Sequence, residues 1–290
     1  MAKKVLITGA LGQLGHSVFQ QLYQNYNLFP TDIRTSSLME NYNILDISKR
    51  VNIYEILSEI NPDVIINLAA YTDVDGCELN PGKAELLNSK SVKMLLNGLS
   101  GKFIQISTDY VFDGNSGPYS ENDTTNPLSV YGETKLNAEK IIKENTIDWC
   151  ILRTNVLFDY YKGTEASFIK WVIDSLKSKK SINIVNDQWN NPTWTTNLAE
   201  VIELVIENDV KGLYHYGGAD YLNRFEFAGM VADIFNLDKN LIVAINTKSL
   251  KQPAKRPLKG GLISSKIEQT LNIKSNKLND ILNVIKARMS

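Results

Sequence analysis

The 290-residue chain has only two cysteines, Cys77 and Cys150, and two histidines, His16 and His215. That is too few for a disulfide framework, a zinc cluster or a histidine metal site, so no metal is expected, and the cysteine usage fits a cytoplasmic protein. Charge of one sign is lacking too. The 31 Lys+Arg and 32 Asp+Glu leave a net charge of −1, with no basic field to hold nucleic acid or an anionic membrane. No apolar run approaches the roughly 18 residues of a membrane helix. The run after Lys3 and Lys4 breaks at Thr8-Gly9, too early for a signal peptide or anchor. Repeats and low-complexity tracts are missing as well. What remains, 43% hydrophobic and 22% charged, is an ordinary globular composition with length for about one or two domains.

Short β-branched runs alternate with helical periodicity through the first half. Val5-Leu6-Ile7, Leu28 to Thr31, Val64-Ile65-Ile66 and Phe103 to Ile106 read as buried parallel strands. Leu14 to Tyr26, Val51 to Ile60 and Lys83 to Leu99 are long enough to be crossover helices. This alternation predicts an α/β fold with a Rossmann-type doubly wound parallel sheet over residues 1–155, rejoined by part of 182–212. After Ile151-Leu152-Arg153 the pattern loosens. Helices are expected at Glu165 to Lys179, Leu198 to Glu207, Arg224 to Phe235 and Asn279 to Ala287, in a smaller mixed C-terminal substrate-binding lobe over 156–290.

Directly after the first strand, Gly9, Gly12 and Gly15 are spaced G-x-x-G-x-x-G around Leu11, Gln13 and Leu14. A pyrophosphate needs this: a tight turn, a bare backbone and a helix N-terminus facing the anion. A glycine turn alone is weak, and Asp32 after the second run strengthens it, because a carboxylate there accepts hydrogen bonds from an adenosine ribose. A free 2′-hydroxyl suits Asp32, whereas Arg34, beyond Ile33, would meet a 2′-phosphate, so both NADH and NADPH stay open. Asp46-Ile47 after the third run and Leu68-Ala69-Ala70 after the fourth add a partner for adenine and a flat backbone approach.

Tyr131 and Lys135 stand four apart on an expected helix and share a face. An ammonium beside a phenol favours the phenolate and draws its pKa toward the range of a general acid/base, while the lysine can also hydrogen-bond a nicotinamide ribose. With 13 tyrosines and many lysines, chance supplies roughly one such pair, so context must carry the argument. Ser107-Thr108 at the end of the fifth strand supplies it: a hydroxyl there polarises a substrate carbonyl, and Thr108 would hold the oxygen that Tyr131 protonates.

Together the Thr8-Gly9-x-x-Gly12-x-x-Gly15 start, Tyr71-Thr72-Asp73-Val74-Asp75, Ser107 to Gly114, Asn126 to Lys135, and Asp187-Gln188 before Pro192-Thr193 resemble the dTDP-4-dehydrorhamnose reductase family of extended short-chain dehydrogenase/reductases. The resemblance covers nearly the whole chain. It implies NAD(P)H-dependent reduction of the C4 ketone of a nucleoside-diphospho-4-keto-6-deoxysugar, dTDP-4-dehydro-β-L-rhamnose foremost. It also implies Thr108, Tyr131 and Lys135 as the catalytic triad, with Thr72, Val74, Asp109 and Val156 near the sugar and Tyr71 among the cofactor contacts. Val156 departs from the pattern, since rhamnose-forming members commonly carry a tryptophan there; Tyr160, Tyr161, Trp189 or Trp194 would be substitutes for its ring. A nucleotide-sugar epimerase and a non-catalytic cofactor-binding regulatory subunit are the alternatives. The expected partner is a nucleotide sugar, neither nucleic acid nor membrane, with a homodimer admitted. The basic stretch from Lys248 to Lys259, Arg256 above all, is either a diphosphate contact or solvated charge.

Overall fold

The computed structural model describes residues 2–36, 39–161 and 167–289. Its strands are β1 Lys4–Thr8, β2 Asn27–Asp32, β3 Asn43–Ile44, β4 Val64–Asn67, β5 Lys102–Thr108, β6 Trp149–Thr154 and β7 Leu157–Phe158. Six shorter ones follow: β8 Ile182–Val185, β9 Trp189–Asn190, β10 Thr193–Trp194, β11 Gly212–His215, β12 Leu222–Asn223 and β13 Ile242–Ile245. The α-helices are α1 Gln13–Leu22, α2 Arg50–Ile60, α3 Val74–Leu79, α4 Pro81–Glu85, α5 Ser91–Leu96 and α6 Val130–Asn145. Beyond them lie α7 Phe168–Lys177, α8 Thr195–Glu207, α9 Arg224–Ile234, α10 Ser265–Leu271 and α11 Leu278–Arg288.

Seven strands form one parallel sheet in the order β11-β6-β5-β4-β1-β2-β3. The chain leaves β1 toward β2 and β3, then returns to the other side of β1 as β4. This reversal opens a crevice at the carboxyl ends of β1 and β4, where ligands sit in such sheets. Strand residues alternate between two buried faces, which is why the runs are apolar throughout. Val5, Ile7, Ile66 and Ile104 pack with Val18, Leu22, Ile202 and Val205 of α1 and α8, while Leu6, Ile65, Phe103 and Ile151 pack with Ile53, Leu95 and Ile142 of α2, α5 and α6. A third core, around Phe158 and Phe227, joins α7, α9 and α11. Burial of each such ring stabilises by roughly 1.5–3 kcal/mol.

Two expected elements differ and one, α3, was not expected. The helix expected over Lys83 to Leu99 is broken into α4, a π-helical turn at Leu86–Lys90, and α5. The wide turn places buried Asn88 and Ser89 against α6: Asn88 Nδ2 donates to Thr134 Oγ1 at 3.1 Å and the Ser89 hydroxyl to the Thr134 carbonyl at 2.8 Å. The short helix α3 has no amphipathic period to reveal it; Asp73 caps it by accepting the Gly76 N–H at 2.9 Å. Helix α7 begins at Phe168 behind the cap of Ser167, and Glu165, the expected start, lies outside the described residues.

Gly9 has φ +68°, and a Cβ on it would stand 2.9 Å from the Ala69 nitrogen. A Cβ on Gly15 would meet the Gly9 carbonyl oxygen at 2.4 Å and the Ala10 Cα at 2.6 Å, both backbone atoms. Gly15→Ala is therefore expected to cost about 1–3 kcal/mol, the usual scale of overpacking. Urea denaturation should show a lower midpoint, and an unchanged midpoint would contradict this packing.

Candidate active site

Helix α6 starts where two carboxyl-end loops meet. Ser129 caps it through the Gly132 N–H, and Glu78 from α3 accepts the Val130 N–H at 3.1 Å. From that fixed start, Tyr131, Lys135 and Glu139 follow at intervals of four along one helix face. Tyr131 is half-buried and packs edge-on against Tyr110, with ring centroids 5.6 Å apart. Lys135 is 4% exposed, and its ammonium donates to the Ile106 carbonyl of β5 at 2.6 Å.

Two polar rows support this arrangement from within the sheet. In the first, the Thr8 hydroxyl donates to Asn67 Oδ1 at 2.6 Å, Asn67 Nδ2 to Gln105 Oε1 at 2.8 Å, and Gln105 Nε2 to the same Ile106 carbonyl at 2.7 Å. Thr8 also accepts the Leu68 and Ala69 N–H groups. In the second, Ser107, Arg153 and His215 are register neighbours on β5, β6 and β11. Glu139 lies against them, receiving Arg153 Nε at 2.9 Å, Arg153 Nη2 at 2.7 Å and the Ser107 hydroxyl at 2.6 Å. Burial holds His215 well below the usual histidine range, at about 3, so its ring is neutral. Its Nδ1 is 3.0 Å from the Tyr119 carbonyl and Nε2 is 3.3 Å from Arg153 Nη1, which makes Nδ1 the protonated nitrogen.

The electrostatics correct one expectation. Burial pushes the Tyr131 phenol up from its ordinary range, and a hydrogen bond with Thr108 draws it back only in part. Burial also draws Lys135 down to about 8 against the opposing pull of Glu139. The ammonium is spent on a strand carbonyl, so desolvation outweighs the expected stabilisation of the phenolate. Tyr131 thus stays protonated at neutral pH and is poised as a proton donor. Ser107 and Thr108 also part company, because strand alternation sends Ser107 to Glu139, while the Thr108 hydroxyl accepts the Tyr110 N–H at 3.2 Å and donates to Asp109 Oδ1 at 3.4 Å. Asp109 is buried, accepts the Gly261 N–H at 3.2 Å, and is pushed up to about 6 by desolvation.

At the glycine end, Gly12 caps α1 without a side-chain hydrogen bond. This bare cradle fits a dinucleotide pyrophosphate. Asp32 accepts the Leu11 N–H at 3.2 Å and pairs with Arg34 Nε at 3.1 Å; Arg34 itself is 51% exposed. Ile33 is exposed beside them, and Gln13 Nε2 reaches the Leu157 carbonyl at 3.5 Å. Asp46 accepts the Ser48 N–H at 2.9 Å, whereas Leu14 and Ile47 are buried in the two cores flanking the sheet. Half-buried Leu68, Ala69 and Ala70 follow β4, and the Tyr71 N–H donates to Asn88 Oδ1 at 2.8 Å. Thr72 is exposed, and Val74 opens α3 half-buried.

Val156 has φ +39°, a strained setting for a β-branched residue, and packs against the C-terminal core. Of the aromatic substitutes, Tyr161 stacks on His16 at 4.0 Å, Trp189 stacks on Tyr221 at 5.7 Å, and Trp194 is buried. Arg256 is neither solvated nor open: it grips Asp75 with bonds of 3.0 and 2.8 Å, while Lys248, Lys251, Lys255 and Lys259 are exposed.

Residues 3–289 match the family described as RmlD substrate binding domain. The chain belongs to this family. A dTDP-4-dehydrorhamnose reductase of Aggregatibacter actinomycetemcomitans is 32% identical over 98% of both chains. A protein of Bos taurus named methionine adenosyltransferase 2 subunit beta is 34% identical over 93% of this chain and 83% of its own. The crystal structure of dTDP-4-dehydrorhamnose reductase from Bacillus anthracis strain Ames, in complex with NADP, superposes with a TM-score of 0.89 at 27% identity, covering 99% of this chain and 100% of that one.

Within this RmlD-family fold, sequence reasoning missed Glu139, Arg153, His215 and Asn88. The repeat of polar side chains every fourth residue from Tyr131 to Glu139 was the one signal that pointed to Glu139; the others are brought in by register and by the π turn. Because the folded pKa of Lys135 lies below its usual value, the folded protein binds fewer protons between about pH 8 and 10.5. The lysine therefore costs stability below pH 8, and that cost fades as pH rises through this window. Lys135→Met is expected to raise the unfolding free energy at pH 7 by about 1–3 kcal/mol, with a smaller gain at pH 10. Denaturant titrations at the two pH values check this, and an equal or larger gain at pH 10 would contradict it.

Proposed function

We propose that the chain is an NAD(P)H-dependent oxidoreductase that reduces the C4 ketone of a nucleoside-diphospho-4-keto-6-deoxysugar, foremost dTDP-4-dehydro-β-L-rhamnose to dTDP-L-rhamnose. What supports this reading is that Thr108 ends β5 while Lys135 of α6 donates to the Ile106 carbonyl of the same strand, with Tyr131 one turn before it, on the sheet edge that holds the glycine cradle. The family relatives bearing the reductase name and the NADP complex of one of them support it.

Gly9, Leu11, Gly12, Gln13 and Gly15 would hold the pyrophosphate, Asp32 and Arg34 the adenosine ribose, and Leu68 to Tyr71 the nicotinamide half. When bound, the nicotinamide supplies the hydride that reaches C4. Tyr131 donates its phenolic proton to the ketone oxygen, and Thr108 holds that oxygen by a hydrogen bond. Lys135 stabilises the phenolate left behind, while its own position is fixed by the Ile106 carbonyl. Asp109, Thr72 and Val74 flank the sugar. The enzyme acts in the cytoplasm, and a homodimer is the assembly to test by size against the 32.6 kDa chain. Among the described residues no helix is long and apolar enough to cross a membrane.

A regulatory-subunit reading draws on the relative named methionine adenosyltransferase 2 subunit beta. The two readings part on Tyr131→Phe. Catalysis requires a loss of about 10²–10⁴ in kcat, the usual weight of a general acid, with NADPH affinity retained. A regulatory role leaves partner modulation intact in that variant, and wild-type protein without turnover on any such ketosugar would refute the reductase. Arg34 should set the cofactor balance: Arg34→Ala is expected to weaken NADPH about tenfold more than NADH, as read by fluorescence titration. Equal losses would remove Arg34 from 2′-phosphate recognition.

A further inference from the structure

Six arginines occur in the chain, and five are accounted for by carboxylates or by water. Arg34, Arg153 and Arg256 pair with Asp32, Glu139 and Asp75, and Arg50 and Arg288 are exposed. Arg224 is different. It is half-buried, yet its guanidinium donates no hydrogen bond and forms no ion pair among the described residues; it lies over the face of Phe168, 5.3 Å from the ring centroid. A half-buried guanidinium with no protein acceptor is free to take an external one, and its planar fork suits phosphate oxygens.

Its place in the fold says what the acceptor is. Arg224 opens α9 directly after β12, and its N–H donates to the Gln188 carbonyl at 3.2 Å. Its charge reaches across to Asp109 and Tyr110 at the end of β5, next to Thr108. Asp109 does not satisfy it, being engaged by Gly261 and Thr108. The ribbon of β9 and β12 also carries the stacked Trp189 and Tyr221, and Tyr221 is 38% exposed. A cation and an aromatic surface thus lie by the end of β5 that carries Thr108.

We propose that Arg224 binds the diphosphate of the nucleotide-linked substrate, with the Trp189–Tyr221 pair as the surface for its base. This rests on reading the site as one for a nucleotide sugar. It also moves diphosphate recognition from Arg256, whose guanidinium is committed to Asp75, to Arg224 at the start of α9.

The test is calorimetric titration of the NADP-loaded protein with thymidine diphosphate, in wild type, Arg224→Met and Arg224→Lys. Arg224→Met should weaken thymidine diphosphate about 10- to 100-fold, while NADPH affinity stays within about twofold, and Arg224→Lys should recover part of the loss. If Arg224→Met unfolds at a lower temperature, Arg224→Gln takes its place with the same expectation. Thymidine diphosphate affinity within about twofold of wild type in a folded variant overturns the proposal. So does a wild type that turns over the nucleotide ketosugar without measurable thymidine diphosphate binding, a result that leaves the reductase reading standing. Wild type that binds thymidine diphosphate through Arg224 but never oxidises NADPH or NADH would sink the reductase reading alone.

Discussion

A buried ammonium needs acceptors, and the burial of Lys135 against the Ile106 carbonyl is the constraint around which the site is organised. Among the described residues its charge has no carboxylate at hydrogen-bond distance, only Glu139 one helical turn on. Glu139 is itself neutralised by Arg153, and Arg153 is bounded by the neutral ring of His215. The ion pair behind the lysine is thus balanced and fully hydrogen-bonded, the condition under which buried charge is tolerated. It leaves Lys135 cationic but only loosely so, one helical turn after the Tyr131 phenol.

The sheet sets the positions of these groups. Ser107, Arg153 and His215 form a row because β5, β6 and β11 are in parallel register, and Thr8, Asn67 and Gln105 form another across β1, β4 and β5. Both rows lie near the carboxyl ends, where the apolar strands give way to polar side chains. The second ends on the carbonyl that Lys135 uses, so the loops after β1 and β4 and the helix carrying Tyr131 share one hydrogen-bonded support. A shift of β5 by one residue would turn Thr108 away from Tyr131 and Ser107 away from Glu139.

The later part of the chain is tied to this edge by a few specific bonds. Arg256 grips Asp75 at the start of α3, Gly261 donates to Asp109, and Lys259 donates to the Gly114 carbonyl at 2.8 Å. Gly114 and Gly117 make the approach possible, since a Cβ on Gly117 would stand 2.0 Å from the Gly260 carbonyl oxygen. These contacts bring the ribbon of β9 and β12, and with it Arg224, to the catalytic end. The basic stretch expected to be a diphosphate contact or solvated charge thus serves, through Arg256 and Lys259, as a brace.

Sequence alone determined the parallel sheet, the glycine turn and the Tyr131–Lys135 pair, because each is encoded locally: an apolar run, a spacing of bare residues, one helical turn. It could not decide the π turn at Asn88, the Glu139–Arg153–His215 row or the place of Arg224 over the Phe168 ring. Those depend on groups 14 to 62 residues apart meeting in space, as the Arg153 contacts to Glu139 and His215 do. Nor could it give the direction of the Tyr131 shift. Spacing says that a lysine is near; only the packed structure says that burial, rather than the ammonium, dominates the phenol.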